Sequence, residues 1–239
     1  MGTLFIVPTP VGNLADMTPR AVQTLRDVSL ILAEDTRTSR PLLDHFGIVT
    51  PLQSHHKYNE HSTIKQLVDT LEGGTDIALI SDAGTPGISD PGFLISRECR
   101  NRGVNVVTLP GATAFVPALV NSGLPIDRFA FEGFLPSKKG RESRLREISE
   151  SSVTTIIYES PLRLTKTLQS LIEHCGGERP ASISREISKI HETTCRGTLS
   201  ELLDYFTDNP PRGEIVMVIG PKEKKSAPHR NKYRDAQAE

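Results

Sequence analysis

The sequence of 239 residues contains no tryptophan and only three cysteines, Cys99, Cys175 and Cys195. The cysteines are isolated and odd in number, which excludes a disulfide framework and a CxxC zinc site. Long apolar runs are also missing, since no stretch approaches the ~18 residues of a membrane-spanning helix. The N-terminus has no basic segment and reaches Pro8 too early for a signal peptide. We therefore expect a soluble, cytoplasmic globular protein with no membrane partner.

An excess of charge of either sign is lacking as well. The chain has 28 lysines and arginines against 29 aspartates and glutamates. This balance excludes an acidic disordered chain and a globally cationic nucleic-acid binder, and it gives no reason to expect DNA as a partner. Any binding to RNA must therefore depend on local basic patches.

Short apolar runs alternate with segments of helical periodicity through most of the chain. Strands are predicted at residues 3–7, 30–33, 77–80 and 104–109, with helices at 18–28, 39–46, 61–71, 91–102 and 114–122. This alternation predicts an α/β fold with a mainly parallel sheet covered by helices on both faces.

The second half has shorter strands and more charge. Strands are predicted at residues 129–134, 153–158, 181–185 and 214–220, and helices at 142–150, 162–174 and 199–206. We place an N-terminal α/β domain at residues 1–122 and a C-terminal α/β domain at 123–220. Residues 221–239 hold six basic and three acidic residues, about +3, with almost no apolar ones, and are predicted to form a disordered tail.

Four loops follow the predicted N-terminal strands, and in such sheets ligands bind beyond the carboxyl ends of the strands. They are the first loop (8–16), the second loop (34–39), the third loop (81–92) and the fourth loop (110–114). The third loop is rich in glycine and proline, and its Asp82 and Asp90 are candidates to accept hydrogen bonds from an amine or ribose hydroxyls. Asp90 is equally a candidate cap for a helix that starts at Pro91.

The second and fourth loops each allow two interpretations. Glu34, Asp35 and Arg37 form a charged cluster at a strand end that would position substrate or handle a proton, although Asp35 and Arg37 also suit a structural ion pair. The fourth loop lacks the lysine of a Walker loop and GxGxxG spacing, and Gly111 would leave space for a planar or ribosyl ligand or simply form a turn. His55 and His56 point in opposite directions on a strand, so no metal site is predicted.

The motifs PTPVGNLADMTPRA, EDTRTSRPLLDHFGI, SDAGTPGISDPG, LPGATA, IYESPLRL and RGEIVMVIG occur in this order. Together they resemble one branch of the tetrapyrrole-methylase superfamily, the methyltransferases of a cytidine ribose 2'-hydroxyl in ribosomal RNA. The resemblance covers residues 3–220. It implies a homodimer of two-domain α/β chains with a mixed C-terminal sheet. S-adenosylmethionine (SAM) would lie in the cleft between the domains, and the substrate would be a decoding-centre cytidine of 16S rRNA in the small ribosomal subunit.

Cofactor-binding residues are implied by the same resemblance on both sides of the cleft. They are Pro10, Asp82, Ala83, Gly84, Ile88, Pro110, Gly111, Thr113, Ala114, Phe134, Tyr158 and Glu159. Glycine-rich and acidic loops without a phosphate cradle also suit the cationic sulfonium of SAM. Two alternatives remain open at this point: a methyltransferase of the same fold acting on a small tetrapyrrole, and a non-catalytic ribosome-assembly module.

Catalytic and RNA-binding candidates follow from charge. Glu34, Asp35 and Arg37 are the candidates for handling the proton of the 2'-hydroxyl. Lys138, Lys139 and Arg141 head the densest basic cluster and are predicted to contact RNA with solvent-facing side chains. The alternative is an ordinary solvated helix face, because Glu142, Glu147 and Glu150 are interspersed.

Overall fold

The structure is a computed structural model that describes residues 1–223. The disordered tail predicted at 221–239 lies, beyond residue 223, outside the described residues. The first half contains β1 Thr3–Ile6, a 3₁₀ helix Leu14–Asp16, α1 Pro19–Asp27, β2 Leu30–Ala33, α2 Thr36–His45, β3 Leu52–Ser54, α3 Glu60–Glu72, β4 Ile77–Ile80, α4 Phe93–Asn101, β5 Asn105–Thr108 and α5 Phe115–Ser122. The second half contains β6 Phe129–Phe134, α6 Arg141–Glu150, β7 Thr154–Glu159, α7 Leu164–Cys175, β8 Pro180–Arg185, β9 Thr193–Thr198, α8 Leu199–Asp208 and β10 Ile215–Ile219.

The first sheet has the strand order β3-β2-β4-β1-β5, and all neighbouring strands are parallel. Every residue of β4 is buried, because its side chains alternate between two apolar layers. Ala78 and Ile80 pack with residues of α1 and α2, while Ile77 and Leu79 pack with residues of α3 and α4. The carboxyl ends of the strands consequently meet at one edge, where the four loops emerge.

The second sheet has the order β6-β7-β10-β8-β9 and is mixed. Only β6 and β7 pair in parallel, while β10 runs antiparallel to both β7 and β8, and β9 antiparallel to β8. The core on one face contains residues of α6, α7 and α8. A parallel first sheet and a mixed second sheet confirm the predicted α/β fold class.

Helix α5 covers the opposite face of the second sheet. It packs on β8, β9 and β10, and its Ala118 and Leu119 form one apolar cluster with Ile156, Val216 and Val218 of that sheet. The helix precedes residue 123, so the sheet of the predicted C-terminal domain is partly covered by a helix from the predicted N-terminal range. The division at residues 122 and 123 stays a prediction.

The structure corrects several predicted elements. Strands β3 and β9 were not predicted, because both are edge strands with few apolar residues. Helix α2 starts at Thr36 rather than 39, since Asp35 caps it by accepting a hydrogen bond from the Arg37 backbone N–H. Helix α4 starts at Phe93, so Asp90 is not its cap. Within residues 1–223, no helix is long and apolar enough to cross a membrane.

Candidate active site in the cleft between the sheets

A cavity of about 410 Å³ lies between the loops of the first sheet and one edge of the second. This volume falls in the range of about 300–1,000 Å³ that is usual for small-molecule sites. From the first half it is lined by Val11, Glu34, Asp82, Ala83, Gly84, Thr85, Ile88, Ser89, Asp90, Thr113 and Ala114. From the second half it is lined by Phe134, Tyr158, Glu159, Ser160, Pro161, Ile187, Gly213, Glu214, Ile215 and Val216.

The first and third loops are joined by a two-residue backbone bridge. The N–H of Thr9 donates to the carbonyl of Gly84, and the N–H of Gly84 donates to the carbonyl of Thr9, both at 2.9 Å. Gly84 has φ +79°, a left-handed conformation that favours glycine. Glycine at position 84 is therefore favoured by the backbone conformation of the turn. The backbone of this turn forms part of the cavity wall.

The fourth loop is tied to the other two. The Thr85 hydroxyl donates to the carbonyl of Ala112 at 3.0 Å, which joins the third and fourth loops. A Cβ at Gly111 would lie 2.6 Å from Pro8 Cβ, so glycine there permits close packing of the fourth loop on the first. Gly111 and Pro110 do not line the cavity, and the space predicted for a ligand at Gly111 is filled by Pro8.

Three carboxyl groups face the cavity from the second and third loops: Glu34, Asp82 and Asp90. Burial raises the pKa of Asp90 to about 7, with the nearby Glu34 as the next cause. Burial also raises the pKa of Glu34, and Asp82 adds to that rise. The pKa of Asp82 is likewise raised by burial. The cavity therefore concentrates carboxyl groups in partly desolvated surroundings, which favours a cationic or hydrogen-bond-donating ligand.

Asp35 and Arg37, predicted as catalytic candidates, do not line this cavity. The Arg37 side chain bonds to both carboxylate oxygens of Asp35, at 3.1 and 2.7 Å, and is itself 90% exposed. These bonds lower the pKa of Asp35 to about 2. The backbone N–H of Asp35 also donates to Asp82 Oδ1 at 3.2 Å. The pair caps α2 and joins the second loop to the third, which favours its structural interpretation.

Aromatic side chains form the opposite wall. Phe134 and Tyr158 lie in neighbouring strands with ring centroids 5.6 Å apart in edge-to-face orientation. Burial raises the pKa of the Tyr158 hydroxyl to about 12, so it stays protonated. Phe134 is more than half exposed and lies at the mouth of the cavity. Both residues line the same cavity as the acidic loops, and their role in binding a cofactor stays a prediction.

Glu159 lines the cavity, but its carboxylate is committed to the protein. One oxygen accepts from the Ser160 N–H at 2.8 Å and the other from the Thr167 hydroxyl at 2.6 Å. Arg163 Nε lies 3.3 Å from the first oxygen, and the side chain of Glu159 is fully buried. Its negative charge is therefore balanced inside the second half rather than offered to a ligand.

Pro10 lines a smaller neighbouring cavity together with Asp82, Gly12, Ser39 and Leu42. Sequence reasoning missed most of the apolar wall of the main cavity, which includes Val11, Ile187, Ile215 and Val216. Only Val11 had a local signal, since it belongs to the first loop. The others reach the site through the pairing of distant strands.

The residues of the predicted basic patch differ in their surroundings. Lys138 and Lys139 are exposed, as expected. Arg141 is not solvent-facing: it donates to the Thr167 hydroxyl at 2.8 Å and is half-buried. Arg144 and Arg146 each pair with glutamates of the same helix. The interspersed acidic residues therefore neutralise much of α6.

His55 is fully buried, while His56 is partly exposed on the turn that follows β3. Across residues 1–223, no group of three or more histidine, cysteine or acidic side chains is arranged to hold a metal ion.

Comparison with known proteins identifies the family of this chain. The family model described as Tetrapyrrole (Corrin/Porphyrin) Methylases matches residues 3–203. The chain belongs to this family. Its third and fourth loops, Phe134 and Tyr158 all fall within the matched range.

Curated relatives are similar over nearly the whole described chain. The "Ribosomal RNA small subunit methyltransferase I" of Synechocystis sp. is 50% identical over 220 residues, which cover 92% of this chain and 79% of that protein. The protein of the same name from Pseudomonas aeruginosa is 50% identical over 221 residues, covering 91% and 78%. A solved structure of uroporphyrin-III C-methyltransferase from Thermus thermophilus, complexed with S-adenyl homocysteine, has a TM-score of 0.61 at 17% identity. It covers 92% of this chain and 97% of that one, and shows the same fold.

Proposed function

We propose that this protein is a SAM-dependent methyltransferase that modifies the ribose 2'-hydroxyl of a decoding-centre cytidine in 16S rRNA of the small ribosomal subunit. The name shared by relatives about 50% identical to the chain supports an rRNA substrate. The observation that carries the proposal is the cavity itself, where three carboxyl groups and an aromatic wall face one space. Such a protein acts in the cytoplasm, where small subunits are assembled.

The residues of the cavity fit SAM. Its sulfonium is cationic, and Glu34, Asp82 and Asp90 supply acidic groups, while none of the described residues that line the cavity is basic. Its adenine is a planar aromatic ring whose faces can stack on side chains, which suits the aromatic wall of Phe134 and Tyr158. We propose that SAM is held by Asp82, Ala83, Gly84, Ile88, Thr113, Ala114, Phe134 and Tyr158. Pro10, Pro110 and Gly111 would support these residues by packing, and Glu159 would shape the cavity wall through its bonds to Ser160 and Thr167.

SAM supplies a methyl group on a positively charged sulfur atom, ready for attack by an oxygen nucleophile. The protein's first contribution is orientation, because holding the ribose oxygen in line with the methyl group and the sulfur can lower the activation barrier by about 7–11 kcal/mol. Its second is proton removal. Glu34 is the best placed of the predicted catalytic residues, since it faces the cavity and burial raises the pKa of its carboxyl group. Asp35 and Arg37 would position the second loop.

We propose Lys138 and Lys139 as contacts of the RNA phosphates. They lie in the segment between β6, which ends at Phe134 of the cavity wall, and α6, and no ion pair among the described residues involves them. Arg141 would support them indirectly through its bond to Thr167.

We also propose that two copies of the chain form a homodimer. An apolar surface supports this proposal: Val116 and Val120 of α5 are exposed, as are Ile126 and Phe129 nearby. The rings of Phe115 and Phe129 are 6.3 Å apart, so α5 and the edge strand β6 share one surface. Contiguous apolar surface of this kind is typical of protein interfaces.

The function is tested by two measurements on the purified protein. Calorimetry with S-adenosylhomocysteine should give binding in the micromolar range, about −8 kcal/mol. Transfer of tritiated methyl from SAM should label small subunits from a strain that lacks this methylation, and hydrolysis should place the label on a cytidine ribose. A porphyrinoid acceptor is the control. Binding without transfer to small subunits would refute the substrate, and no binding at all would refute the cofactor.

A further inference from the structure

The turn between β3 and α3 lies beside the active-site cavity. It comprises residues 55–59 and follows the carboxyl end of β3, next to β2 in the first sheet. The N–H of His55 donates to the carbonyl of Ala33 at 2.8 Å, and Ala33 directly precedes Glu34 of the cavity wall. His56 is close enough to Glu34 to lower its pKa. The turn is therefore part of the rim.

The backbone of this turn is held by side chains. Asn59 Oδ1 accepts from the N–H of His56 at 2.7 Å, and Asn59 Nδ2 donates to the carbonyl of Ser54 at 3.0 Å. His55 is fully buried, and its Nδ1 lies 3.2 Å from the Thr63 hydroxyl. These contacts close the turn on both sides, so its conformation is fixed before any partner arrives.

On this fixed turn two side chains project into solvent. Tyr58 is 93% exposed, and Lys57 beside it is exposed as well. The Tyr58 N–H donates to His56 Nδ1 at 3.2 Å, which fixes the Tyr58 backbone, and the two rings lie 6.0 Å apart in edge-to-face orientation. The exposed ring leaves a full π-face free beside an active site, which is how aromatic residues present themselves to unstacked bases.

Electrostatics favours an RNA strand on the rim rather than in the cavity. Glu34, Asp82 and Asp90 make the interior acidic, so a phosphate backbone is repelled from it. Only the ribose of the target nucleotide needs to enter. The flanking phosphates must be held outside by cations. Lys57 is an exposed cation of the turn on the first-sheet side, and Lys138 and Lys139 are exposed cations of the second half.

We infer that the turn at residues 55–59 is an RNA-docking element. Tyr58 stacks on an unpaired base next to the target nucleotide, and Lys57 contacts a neighbouring phosphate. The partner is therefore single-stranded RNA, since the bases of a duplex are already stacked. The inference rests on the proposed function, because it identifies the surface on which the methyltransferase binds its RNA substrate.

The test compares Tyr58→Ala, Tyr58→Phe and Lys57→Ala with the wild-type protein. Stacking on one base is lost in Tyr58→Ala, so the KM for small subunits should rise about 5- to 100-fold. Its kcat at saturating subunits and its affinity for S-adenosylhomocysteine should not change. Tyr58→Phe should behave as wild type. Lys57→Ala should flatten the log–log salt dependence of subunit binding by about one unit.

Tyr205→Ala is the matched control, because Tyr205 is a 49% exposed tyrosine on α8 of the second half. A photoreactive azidophenylalanine at position 58 then identifies the partner: the crosslinked adduct should be destroyed by ribonuclease. An adduct with ribosomal protein only, or an unchanged KM in Tyr58→Ala, overturns the inference. Failure of the proposed function looks different, since wild type itself would then transfer no methyl group to subunits.

Discussion

Asp35 and Asp90 are aspartates of the same region whose pKa values are shifted in opposite directions. Asp35 is bonded to the exposed guanidinium of Arg37, which lowers its pKa to about 2. Asp90 has no cationic partner among residues 1–223, and it is partly buried near Glu34, which raises its pKa to about 7. At neutral pH the first is a fixed anion and the second is half protonated. Only the second can exchange a proton in the range where enzymes work.

The pH dependence of stability follows from this difference. Between about pH 4 and 7 the folded protein keeps a proton on Asp90 that the unfolded chain releases, so wild type loses stability as pH rises through that window. Asp90→Asn is neutral throughout and avoids this loss. After allowance for solvent screening, the free energy of unfolding of Asp90→Asn should exceed that of wild type by about 1–2 kcal/mol at pH 8, or roughly 3–6 °C in Tm. At pH 4 the two proteins should differ little in stability.

Asp35→Asn is the control with the opposite sign. The lowered pKa of Asp35 stabilises the folded protein above about pH 4, and this contribution disappears as pH falls towards 2. The variant should therefore melt below wild type at pH 7 and approach it in acid. Thermal melts across pH 3–8 check both variants, and a parallel pH profile for Asp90→Asn and wild type would contradict the assignment.

At the scale of elements, the site is built from loops that are bonded to each other as well as to their strands. Thr9 and Gly84 exchange two backbone hydrogen bonds, and Thr85 bonds to Ala112. The loops therefore move as one unit, because displacing the third loop breaks contacts with the first and the fourth. A backbone conformation that only glycine adopts easily lies at the centre of this unit.

Gly84→Ala and Gly103→Ala form a matched pair that separates strain from ligand contact. The two glycines have φ +79° and +75°, and an added Cβ meets no atom closer than 3.5 Å at either position. Each substitution should therefore cost about 1–2 kcal/mol in stability. Only Gly84→Ala should weaken binding of S-adenosylhomocysteine, by roughly tenfold or more. Calorimetry and denaturant unfolding of both variants test this. Equal affinities in the two variants would show that the third loop does not contact the ligand.

Local signals predicted these loops well, because glycine, proline and acidic residues directly follow apolar strands. The same local signals failed for Asp90, where the Asp-Pro pair is typical of a helix start but the helix begins later, at Phe93. Edge strands β3 and β9 were missed because half-exposed polar residues form them. The bond of Arg141 to Thr167 joins residues 26 apart in sequence, and no pattern within α6 indicates it.

At the scale of the whole molecule, charge and apolar surface are separated. Glu34, Asp82 and Asp90 line the cavity, Lys57, Lys138 and Lys139 are exposed outside it, and exposed apolar side chains of α5 and β6 form a separate surface. Under the proposals above, each region has a different partner: a cationic cofactor in the cavity, an RNA strand on the rim and a second copy of the chain on the apolar surface.

The dimer is tested by sedimentation velocity. Wild type should sediment as a dimer, and Val120→Glu should shift it towards monomer by placing a charge in the apolar surface. Val49→Glu is the control, because Val49 is also highly exposed but lies in the connection between α2 and β3. A monomeric wild type, or equal dimers in both variants, would show that this surface is not the interface.

The placement of α5 constrains how halves of different relatives can be recombined. The helix covers β8 and β10, so the second sheet keeps its cover only if α5 comes from the same parent. A crossover after Ser122 would pair the sheet of one parent with the helix of another, across a fully buried layer. A crossover within residues 110–114 keeps that layer intact and places the join in a binding loop. In chimeras joined at the latter point, α5 and the second sheet should come from one parent. Residues of the two parents should then meet mainly at the loops around the ligand site.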